Sequence, residues 1–487
     1  MNKAPTLSSI RLAVVLLFLI GITAGTPDRK IKSTNTKPNI ILIFTDDQRY
    51  NTTHALGNEQ LVTPNLDRLV RQGTTFTHAY NMGAWHGAVC VASRAMLVTG
   101  MSVWNVKKEE KDYSRLTKAE AFWPQLMKKA GYETYMTGKW HVNTDVRQLF
   151  DHVKHERPGM PAQTEAGYNR PLSRQDTLWN PWDEEYGGFW AGGKHWSEVL
   201  ADDAVEFLGE AGKKETPFFM YLAFNAPHDP RQAPKRWVDQ YPIDEIKLPK
   251  SCLDEYPYKE AMGCDTALRD ERLAPFPRTP YSVRKNIQEY YASISHMDEQ
   301  VGRILEALEK SGKLENTYVL FTADHGLAVG HHGLMGKQSM FDHSMRTPLV
   351  ISGPGIPKNE KRNQGVYLQD IMATSLEIAG MQKPAHVYFN SLLPFIKDKR
   401  AKSNYPSIYG CYMDLQRMVR TTRHKMIVYP KASKVLLFDM LRDPDEMNDL
   451  AGLASSRPVL KQLKERLKKQ QVELNDELDL SALLDAI

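Results

Sequence analysis

The sequence predicts an α/β protein with a large, mostly parallel (mixed) central sheet sandwiched by helices, followed by a small C-terminal antiparallel α+β subdomain. The first observation is a set of short β-branched or aromatic runs without strict alternation, which is typical of strands covered on both faces. The second is that helical segments separate these runs. The third is a change, from about Asn404, to closely spaced strands with turn-like joins. The buried-strand runs are Asn39–Thr45, Glu133–Gly138, Phe218–Phe224, Thr317–Ala323 and Thr347–Ser352.

Ionisable residues follow four of these strands directly. In open α/β sheets, ligands bind outside the carboxyl ends of the strands. The pattern therefore predicts one site at one edge of the sheet and favours an enzyme. The residues that the strand ends supply are Asp46, Asp47, Lys139, His141, His228, Asp324 and His325.

Helical signals lie between the strands. Thr63 and Pro64 provide an N-cap and a first-turn proline for a helix that ends at Gly73. The segment 151–193 is rich in Pro, Gly, Asn and Trp, has no period, and is predicted to be a long surface loop region. Further helices are predicted over 118–130, 301–308 and 367–380.

The C-terminal part has a different pattern of predicted elements. Strand candidates at 407–415, 417–429 and 435–440 precede an amphipathic helix, which predicts a small antiparallel subdomain. The predicted organisation is a leader over 1–25, a catalytic domain over 38–400 and a C-terminal subdomain over 401–487.

The N-terminal segment has the pattern of a secretory signal peptide. Arg11 precedes a short apolar run, Leu12–Ile20, and small residues follow up to Gly25. This predicts export to the periplasm or the medium; the alternative, an uncleaved membrane anchor, is disfavoured because the run is short for a bilayer. We expect no stable membrane insertion, since no later segment is long and apolar enough. Loss of Lys3 and Arg11 with the leader lowers the formal net charge from +5 to +3, too mild a charge to indicate nucleic acid binding.

Three acidic residues at strand ends predict a metal site. Asp46 and Asp47 are adjacent, and burying adjacent carboxylates requires a compensating cation. With Asp324 they form an oxygen-rich set that favours Ca²⁺ or Mg²⁺, whereas His325 as a fourth donor favours softer metals somewhat. The alternative is that Asp46 and Asp47 only cap the following turn.

The cysteines do not form a disulfide framework. An exported protein tolerates disulfides, and Cys252 with Cys264 is the plausible pair, which leaves Cys411 alone. Cys90 begins the segment Cys-Val-Ala-Ser-Arg94, where an arginine at a helix start would activate a thiolate. A cysteine nucleophile and a buried structural thiol are both open interpretations. Neither explains the hard-metal cluster.

The pattern Cys-x-Ala-Ser-Arg followed by Thr-Gly resembles the signature of the formylglycine-dependent (type I) sulfatases. The resemblance covers nearly the whole chain after the leader, and it implies an alkaline-phosphatase-like fold and hydrolysis of sulfuric esters. Further motifs in the same order carry it: Asp46-Asp47, Gly138-Lys139-Trp-His141, Ala226-Pro-His228, Asp324-His325-Gly326, Gly336-Lys337 and Arg346-Thr-Pro-Leu349.

The resemblance implies a modified residue and a metal. In the family a maturase oxidises the cysteine to formylglycine (3-oxoalanine), whose aldehyde hydrates to a geminal diol. Many relatives have Asn at the position of His325, so the histidine leaves the identity of the metal more open. Most relatives that are matured by the aerobic oxidase have Pro at the position of Ala92, so the alanine raises the prospect of a different maturase. The implied Ca²⁺ ligands, with Mg²⁺ as the alternative ion, are Asp46, Asp47, Asp324, His325 and modified Cys90.

The resemblance also implies catalytic roles. Arg94 and the metal orient and acidify the diol, and Asp324 accepts its proton. His228, with Lys337, protonates the departing sugar oxygen, and His141 takes the proton of the second hydroxyl so that sulfate is expelled. The sulfate oxygens are held by Lys139, His228 and Lys337.

The substrate is predicted to be a sulfated oligosaccharide. Trp85 and His86 lie close to Cys90 in sequence, and Tyr409, Tyr412 and Arg417 could lean over the pocket; ordinary strand packing is the alternative for each of the last three. Segments around His228 and Arg417 look similar to bacterial sulfatases that act on ulvan and carrageenan, which favours an exo-acting enzyme on algal oligosaccharides. The alternatives are iduronate-type glycosaminoglycan sulfates or choline sulfate, a phosphonate or phosphodiester hydrolase of the same superfamily, and a non-catalytic sulfated-glycan binding protein.

Overall fold

The computed structural model describes residues 37–162, 167 and 170–485, so the predicted leader lies outside the described residues. The strands are β1 Asn39–Thr45, β2 Gly73–Phe76, β3 Ala79–Tyr80, β4 Gly83–Ala84, β5 Glu133–Lys139, β6 His152–Arg157, β7 Phe218–Ala223, β8 Thr317–Ala323, β9 Arg346–Thr347, β10 Leu349–Ser352, β11 Glu360–Arg362, β12 Val366–Tyr367, β13 Ile408–Tyr412, β14 Gln416–Arg420, β15 His424–Tyr429 and β16 Lys434–Asp439. The helices are α1 Pro64–Gln72, α2 Val89–Thr99, α3 Val103–Lys107, α4 Ser114–Lys118, α5 Trp123–Lys129, α6 Trp196–Ala211, α7 Lys235–Val238, α8 Lys259–Met262, α9 Pro280–Lys310, α10 Asp342–Met345, α11 Asp370–Ile378, α12 Leu393–Lys397, α13 Arg457–Leu474 and α14 Ser481–Asp485.

The main sheet has the strand order β11-β2-β10-β8-β1-β7-β5-β6 in the part of the chain that the structure describes. Its neighbouring strands pair in parallel except at β10, which is antiparallel to both β8 and β2. Alternate residues of β1 pack into two separate hydrophobic clusters: Leu42 belongs to one and Ile43 to the other. Both faces of the sheet are therefore covered, and the predicted α/β class is confirmed.

The strand register brings the predicted strand ends to one edge. Thr45 at the end of β1 pairs with Ala323 at the end of β8, and Phe44 pairs with Ala223 at the end of β7. Gly138 of β5 also pairs with Ala223. Because these four strands are parallel, the residues that follow them emerge on the same side.

Several elements differ from the expectations. The predicted loop over 151–193 contains β6, a partly exposed edge strand whose polar sequence carries no apolar run. The predicted helix over 118–130 is two short helices, α4 and α5, because the chain turns at Glu120, where φ is 50°. The strand predicted over 417–429 is a hairpin of β14 and β15. The helix predicted over 301–308 is the C-terminal part of the much longer α9.

The C-terminal sheet has the order β16-β15-β14-β13-β4. Its sequential strands are antiparallel, as predicted, while β4 joins in parallel from the segment that precedes α2. Residues 401–487 thus share a sheet with the N-terminal half, and the predicted domain boundary at 400/401 stays a prediction. None of the helices in the described residues combines the length and hydrophobicity needed to span a membrane.

The expected disulfide is not present. Cys252 and Cys264 are both free thiols. The Sγ atom of Cys264 is buried and donates to the carbonyl oxygen of Gln338 at 3.2 Å, whereas Cys252 forms a backbone bridge with His331. The predicted pair does not form because the fold packs the two residues against different segments.

Candidate active site

Three carboxylates meet where β1 and β8 end. Asp46 and Asp47 follow β1 and Asp324 follows β8. All three side chains are buried, and one carboxylate oxygen of each lies within 4.8 Å of the other two. The backbone N–H of Asp47 donates to Oδ1 of Asp324 at 3.1 Å. Asp47 has a φ of 64°, a left-handed conformation that is uncommon outside glycine and is typical of strained functional sites.

Basic side chains surround this acidic cluster. Lys139, the last residue of β5, forms an ion pair with Asp46. The Nζ atom of Lys337 is 2.8 Å from both carboxylate oxygens of Asp47. Arg94 donates from Nε to Oδ2 of Asp324 at 3.0 Å. Each acid thus has one close cationic partner.

The electrostatic environments of the three acids differ. Burial opposes ionisation of Asp46, but Lys139, His228 and Arg94 outweigh it and hold the pKa of Asp46 below its ordinary value. Burial raises the pKa of Asp47 even though Lys337 adjoins it. Burial and the neighbouring Asp46 raise the pKa of Asp324 to about 7, against the effect of Arg94.

Cys90 lies in the first turn of α2, almost fully buried beside the acids. Its Sγ atom is 3.3 Å from Nδ1 of His141, and it can share a metal-sized space with Asp46 and His228. Burial raises the pKa of the Cys90 thiol, although Lys139 and Lys337 oppose the shift. The unmodified residue is therefore a protonated thiol at neutral pH, which disfavours the interpretation as a cysteine nucleophile.

His141 is held in an unusual position. Its φ of 57° is left-handed, and a Cβ atom added to Gly159 would lie 2.1 Å from its ring, so only glycine leaves room for the imidazole. Burial, together with Lys139 and Arg94, lowers the pKa of His141 to about 2. The ring is neutral at physiological pH and can accept a proton.

His228 has the opposite protonation tendency. Its Nδ1 atom is 2.8 Å from Oδ1 of Asp229, and its Nε2 atom is 3.6 Å from Oδ2 of Asp47. Burial and Lys337 favour the neutral ring, but Asp229, Asp47 and Asp46 outweigh them and raise the pKa of His228. A buried imidazolium of this kind can donate a proton. Asp229 had no predicted role; its position directly after His228 was the available signal.

Arg94 and Ser93 connect the helix to the strand ends. Arg94 donates from Nη1 to the carbonyl oxygen of Lys139 at 2.8 Å, and Ser93 Oγ donates to the carbonyl oxygen of Asp324 at 2.8 Å. These contacts fix the start of α2, and hence Cys90, against the ends of β5 and β8.

A cavity of about 280 Å³ opens onto Cys90. Its lining includes three polar residues that the sequence did not indicate: Arg269, Asp270 and Gln338. Gln338 donates from Nε2 to Asp270 at 3.1 Å and to the carbonyl oxygen of Gly87 at 3.2 Å. No motif marks the segment around Asp270, so only the fold reveals its place. The lining residues are Gly87, Ala88, Cys90, His141, Gly159, Met160, His228, Leu268, Arg269, Asp270, Lys337 and Gln338.

Four predicted site residues lie outside this constellation. His325 is buried with its Nδ1 atom 3.1 Å from the carbonyl oxygen of Gly326, and it is absent from the metal-sized groups found among the described residues. His86 contacts Glu110, with Nε2 at 3.2 Å from Oε1. Trp85 and Arg417 line a different cavity. The metal role of His325 and the substrate roles of the other three stay predictions.

Comparison with known proteins identifies the family. A family model described as Sulfatase matches residues 38–381, and one described as N-sulphoglucosamine sulphohydrolase, C-terminal, matches residues 330–473. The first covers most of the chain and includes the acidic cluster, Cys90, both histidines and Lys337.

Individual proteins agree with this match. An N-acetylglucosamine-6-O-sulfatase from Bacteroides thetaiotaomicron is 26% identical, over 95% of this chain and 91% of the relative. An ulvan-active sulfatase from Formosa agariphila is 26% identical, over 91% of this chain and 82% of the relative. A solved structure in complex with its substrate D-glucosamine-2-N,6-O-disulfate has the same fold, with a TM-score of 0.71 and 22% identity over 92% of this chain and 100% of that one. The chain therefore belongs to the sulfatase family and is a sulfuric ester hydrolase.

Proposed function

We propose that this sulfatase removes sulfate from the terminal sugar of a sulfated oligosaccharide, with fragments of algal polysaccharides such as ulvan or carrageenan as the favoured substrates. The observation that carries the proposal is the shared cavity: Cys90, His141, His228 and Lys337 line one space of about 280 Å³ beside three buried carboxylates. A cavity of this size suits one sulfated sugar unit better than the interior of a polymer.

A divalent metal fits the acidic cluster. Oδ1 of Asp46 is buried without a hydrogen-bond partner among the described residues. Burial raises the pKa values of Asp47 and Asp324 despite their cationic neighbours, so added positive charge would stabilise both carboxylates. The donors are carboxylate oxygens, which favour Ca²⁺. Asp46, Asp47, Asp324 and the residue at position 90 would hold the ion, with His325 as a further candidate, and the ion would supply positive charge beside the reacting oxygen.

Position 90 is proposed to carry formylglycine. Its hydrated aldehyde supplies one hydroxyl that attacks sulfur and a second hydroxyl whose deprotonation expels sulfate and restores the aldehyde. The guanidinium of Arg94, held between Asp324 and the carbonyl oxygen of Lys139, keeps this residue oriented. Because α2 is fixed by these contacts, little reorganisation is needed before reaction.

The surrounding side chains divide the proton transfers. His228, whose pKa is raised by its acidic neighbours, donates a proton to the departing sugar oxygen. His141, which is neutral because its pKa is lowered and whose Nδ1 atom lies 3.3 Å from Sγ at position 90, accepts the proton that must leave this residue. Lys139 and Lys337 hold the sulfate oxygens, so positive charge lies where negative charge develops.

Two measurements test the function together. Peptide mass spectrometry of active protein should show the aldehyde at position 90, and Cys90→Ser should lower sulfate release by more than about a thousand-fold. Cys252→Ser is the matched control, because Cys252 is a free thiol outside the site. Full activity with an unmodified thiol at position 90 would contradict the mechanism.

Glucosamine sulfates are a second candidate substrate. The match of residues 330–473 to the C-terminal model of N-sulphoglucosamine sulphohydrolase favours them. A panel of ulvan and carrageenan oligosaccharides, glucosamine 6-sulfate, heparan sulfate oligosaccharides and iduronate 2-sulfate, read out as free sulfate, separates the two candidates.

The same panel tests the remaining alternatives. Turnover only of 4-nitrophenyl sulfate or choline sulfate would refute a carbohydrate substrate. A higher kcat/KM for phosphonate monoesters or phosphodiesters would indicate the related hydrolases, and tight glycan binding without sulfate release would indicate a binding protein.

A further inference from the structure

A second and larger cavity, of about 570 Å³, lies beside the catalytic one. We name it the Trp85 cleft. It is bounded by the end of α3, by the β13–β14 turn and by the segment that follows α13. Its lining residues are Trp85, Trp104, Lys107, Lys108, Met413, Asp414, Arg417, Asn475, Asp476, Glu477 and Leu478.

The cleft and the catalytic cavity share one short segment. Trp85 lines the cleft, whereas Gly87 and Ala88, two and three residues later, line the catalytic cavity. Neighbouring Cα atoms are 3.8 Å apart, so the Cα atoms of Trp85 and Gly87 are no more than about 8 Å apart. A chain of linked sugars can cross such a distance.

The turn after α3 also approaches the catalytic cavity. Glu110 contacts His86, which lies between Trp85 and Gly87, with Oε1 at 3.2 Å from Nε2. Lys107 and Lys108 precede Glu110 by only three and two residues and are exposed. Lys107 and Lys108 thus line the cleft and belong to the same short segment as Glu110, which contacts His86.

The floor of the cleft is rigidly built. Arg417 is fixed by Asp476, with Nε and Nη2 at 2.7 and 2.8 Å from its two carboxylate oxygens. The indole N–H of Trp104 donates to the hydroxyl of Tyr409 at 2.9 Å. The Nζ atom of Lys107 lies 5.2 Å from the centroid of the Trp104 ring, a cation–π contact that keeps this lysine over the cleft.

The chemistry of the cleft matches a sulfated sugar rather than an apolar ligand. Arg417 and Asp476 neutralise each other, which leaves Lys107, Lys108, Asp414 and Glu477 as the other charged residues of the lining. Lysines bind sulfate oxygens as point charges, while carboxylates accept hydrogen bonds from sugar hydroxyls.

We propose that the Trp85 cleft binds the next sugar units of the substrate, with a second sulfate group held by Lys107 and Lys108. This inference rests on the proposed function and sharpens it: the enzyme acts on oligosaccharides that carry sulfate on more than the terminal unit. The terminal sugar enters the catalytic cavity, and the rest of the chain passes His86 into the cleft.

The test compares two substrates in one variant. For Lys107→Ala/Lys108→Ala, the ratio of kcat/KM for a multiply sulfated tetrasaccharide to kcat/KM for its terminal monosaccharide sulfate should fall about ten-fold or more, since contacts to a charged group are lost. Carrageenan and heparan sulfate tetrasaccharides are the probes. Lys213→Ala/Lys461→Ala removes the same charge from exposed positions outside both cavities and is the matched control.

A binding measurement separates failure of the cleft from failure of the function. Calorimetric titration of the same tetrasaccharides into Cys90→Ala protein, with and without Lys107→Ala/Lys108→Ala, should show the same loss of affinity without any turnover. If the wild-type protein releases no sulfate but the titration shows this loss of affinity, the result supports glycan binding in the cleft and contradicts the proposed function. A ratio within about two-fold of wild type, an equal fall for both substrates, or unchanged affinity in the titration would overturn the proposal.

Discussion

The catalytic cavity and the C-terminal sheet each adjoin a cluster of buried acids and bases, and the two clusters are built differently. In the C-terminal cluster, Lys425 contacts three acceptors: the carbonyl oxygen of Met340 at 3.1 Å, Asp342 at 2.5 Å and Glu446 at 2.6 Å. Two of these contacts are hydrogen bonds and the third is an ion pair, so the close partners of this lysine are all groups of the protein.

In the catalytic cluster, Lys337 and Asp46 form fewer hydrogen bonds than their side chains allow. Lys337 contacts only Asp47 among the hydrogen-bond acceptors of the described residues, and it lines the cavity. Asp46 retains a buried oxygen without a partner in the same part of the chain. Oε1 of Glu446 in the C-terminal cluster also lacks a hydrogen-bond partner among the described residues, so the clusters differ in their lysines. Lys337 lines a cavity that a substrate can enter, whereas Lys425 is enclosed by three acceptor oxygens of the protein. This difference separates a cluster that stabilises the fold from one arranged to receive a substrate.

Replacement of the lysine in each cluster by alanine should produce the largest difference between the two clusters. Lys337→Ala removes a group that holds sulfate, and we expect sulfate release to fall by about 10²–10³-fold. Lys425→Ala leaves Asp342 and Glu446 buried without their shared cation, and we expect the free energy of unfolding to fall by about 3–5 kcal/mol. Steady-state kinetics and urea denaturation of both variants measure the two effects.

The two variants should fail in opposite ways. Lys337→Ala should stay folded in calcium-containing buffer, and the folded fraction of Lys425→Ala should keep a kcat near that of wild type. A strong loss of stability for Lys337→Ala combined with normal stability of Lys425→Ala would show that the clusters have been assigned the wrong roles.

Removal of the metal is expected to affect only the catalytic cluster. A ligand present at a hundred times its dissociation constant stabilises the folded state by about 2.7 kcal/mol. Treatment with a chelator should therefore lower Tm and abolish activity, and Ca²⁺ should restore both better than Mg²⁺. Asp324→Asn is the diagnostic variant: its Tm should respond less to added Ca²⁺ than that of wild type.

The free energy of unfolding should depend on pH because of Glu446 in the C-terminal cluster. Burial raises the pKa of Glu446 from 4.5 to about 7, although Lys425 opposes the shift. Between these values the folded state holds a proton that the unfolded state has lost, so stability is greatest below about pH 4.5 and declines as pH rises toward 7. From pH 5 to pH 7 this group should cost the wild type about 2 kcal/mol relative to Glu446→Gln.

Urea denaturation at saturating Ca²⁺ measures this difference. The control is Glu377→Gln, which alters an exposed carboxylate on α11. If wild type and Glu446→Gln keep a constant difference in stability across this pH range, Glu446 is ionised throughout and the cluster is more open to solvent than its burial indicates.

The sequence was informative about the site because strand ends carry most of it. Asp46, Lys139 and Asp324 stand at the ends of apolar runs, and parallel pairing alone is enough to bring such residues to one edge. The polar edge strand β6 and the cavity residue Asp270 were not predictable in this way. Neither has an apolar pattern or a motif, and their positions depend on packing between distant segments.

Whether Arg417 can bind a sugar depends on which groups contact its guanidinium in the fold. The predicted contact with an anionic sugar requires an accessible guanidinium. In the structure, Nε and Nη2 contact Asp476, and Nη1 donates to the carbonyl oxygens of Met413 and Gln416 at 2.6 and 2.8 Å. Asp476 lies 59 residues further along the chain, so no local pattern indicates this pairing.

Arg417→Lys therefore gives the smallest expected effect. Lysine keeps the charge but loses the fork that matches a carboxylate, so we expect stability to fall by about 1 kcal/mol. KM for a monosaccharide sulfate should change little, because Arg417 lies in the floor of the Trp85 cleft rather than in the catalytic cavity. Thermal denaturation and KM measurements on the variant check both outcomes. A large rise in KM without loss of stability would mean that Arg417 leaves Asp476 when substrate binds, and the direct contact predicted from the sequence would then be correct.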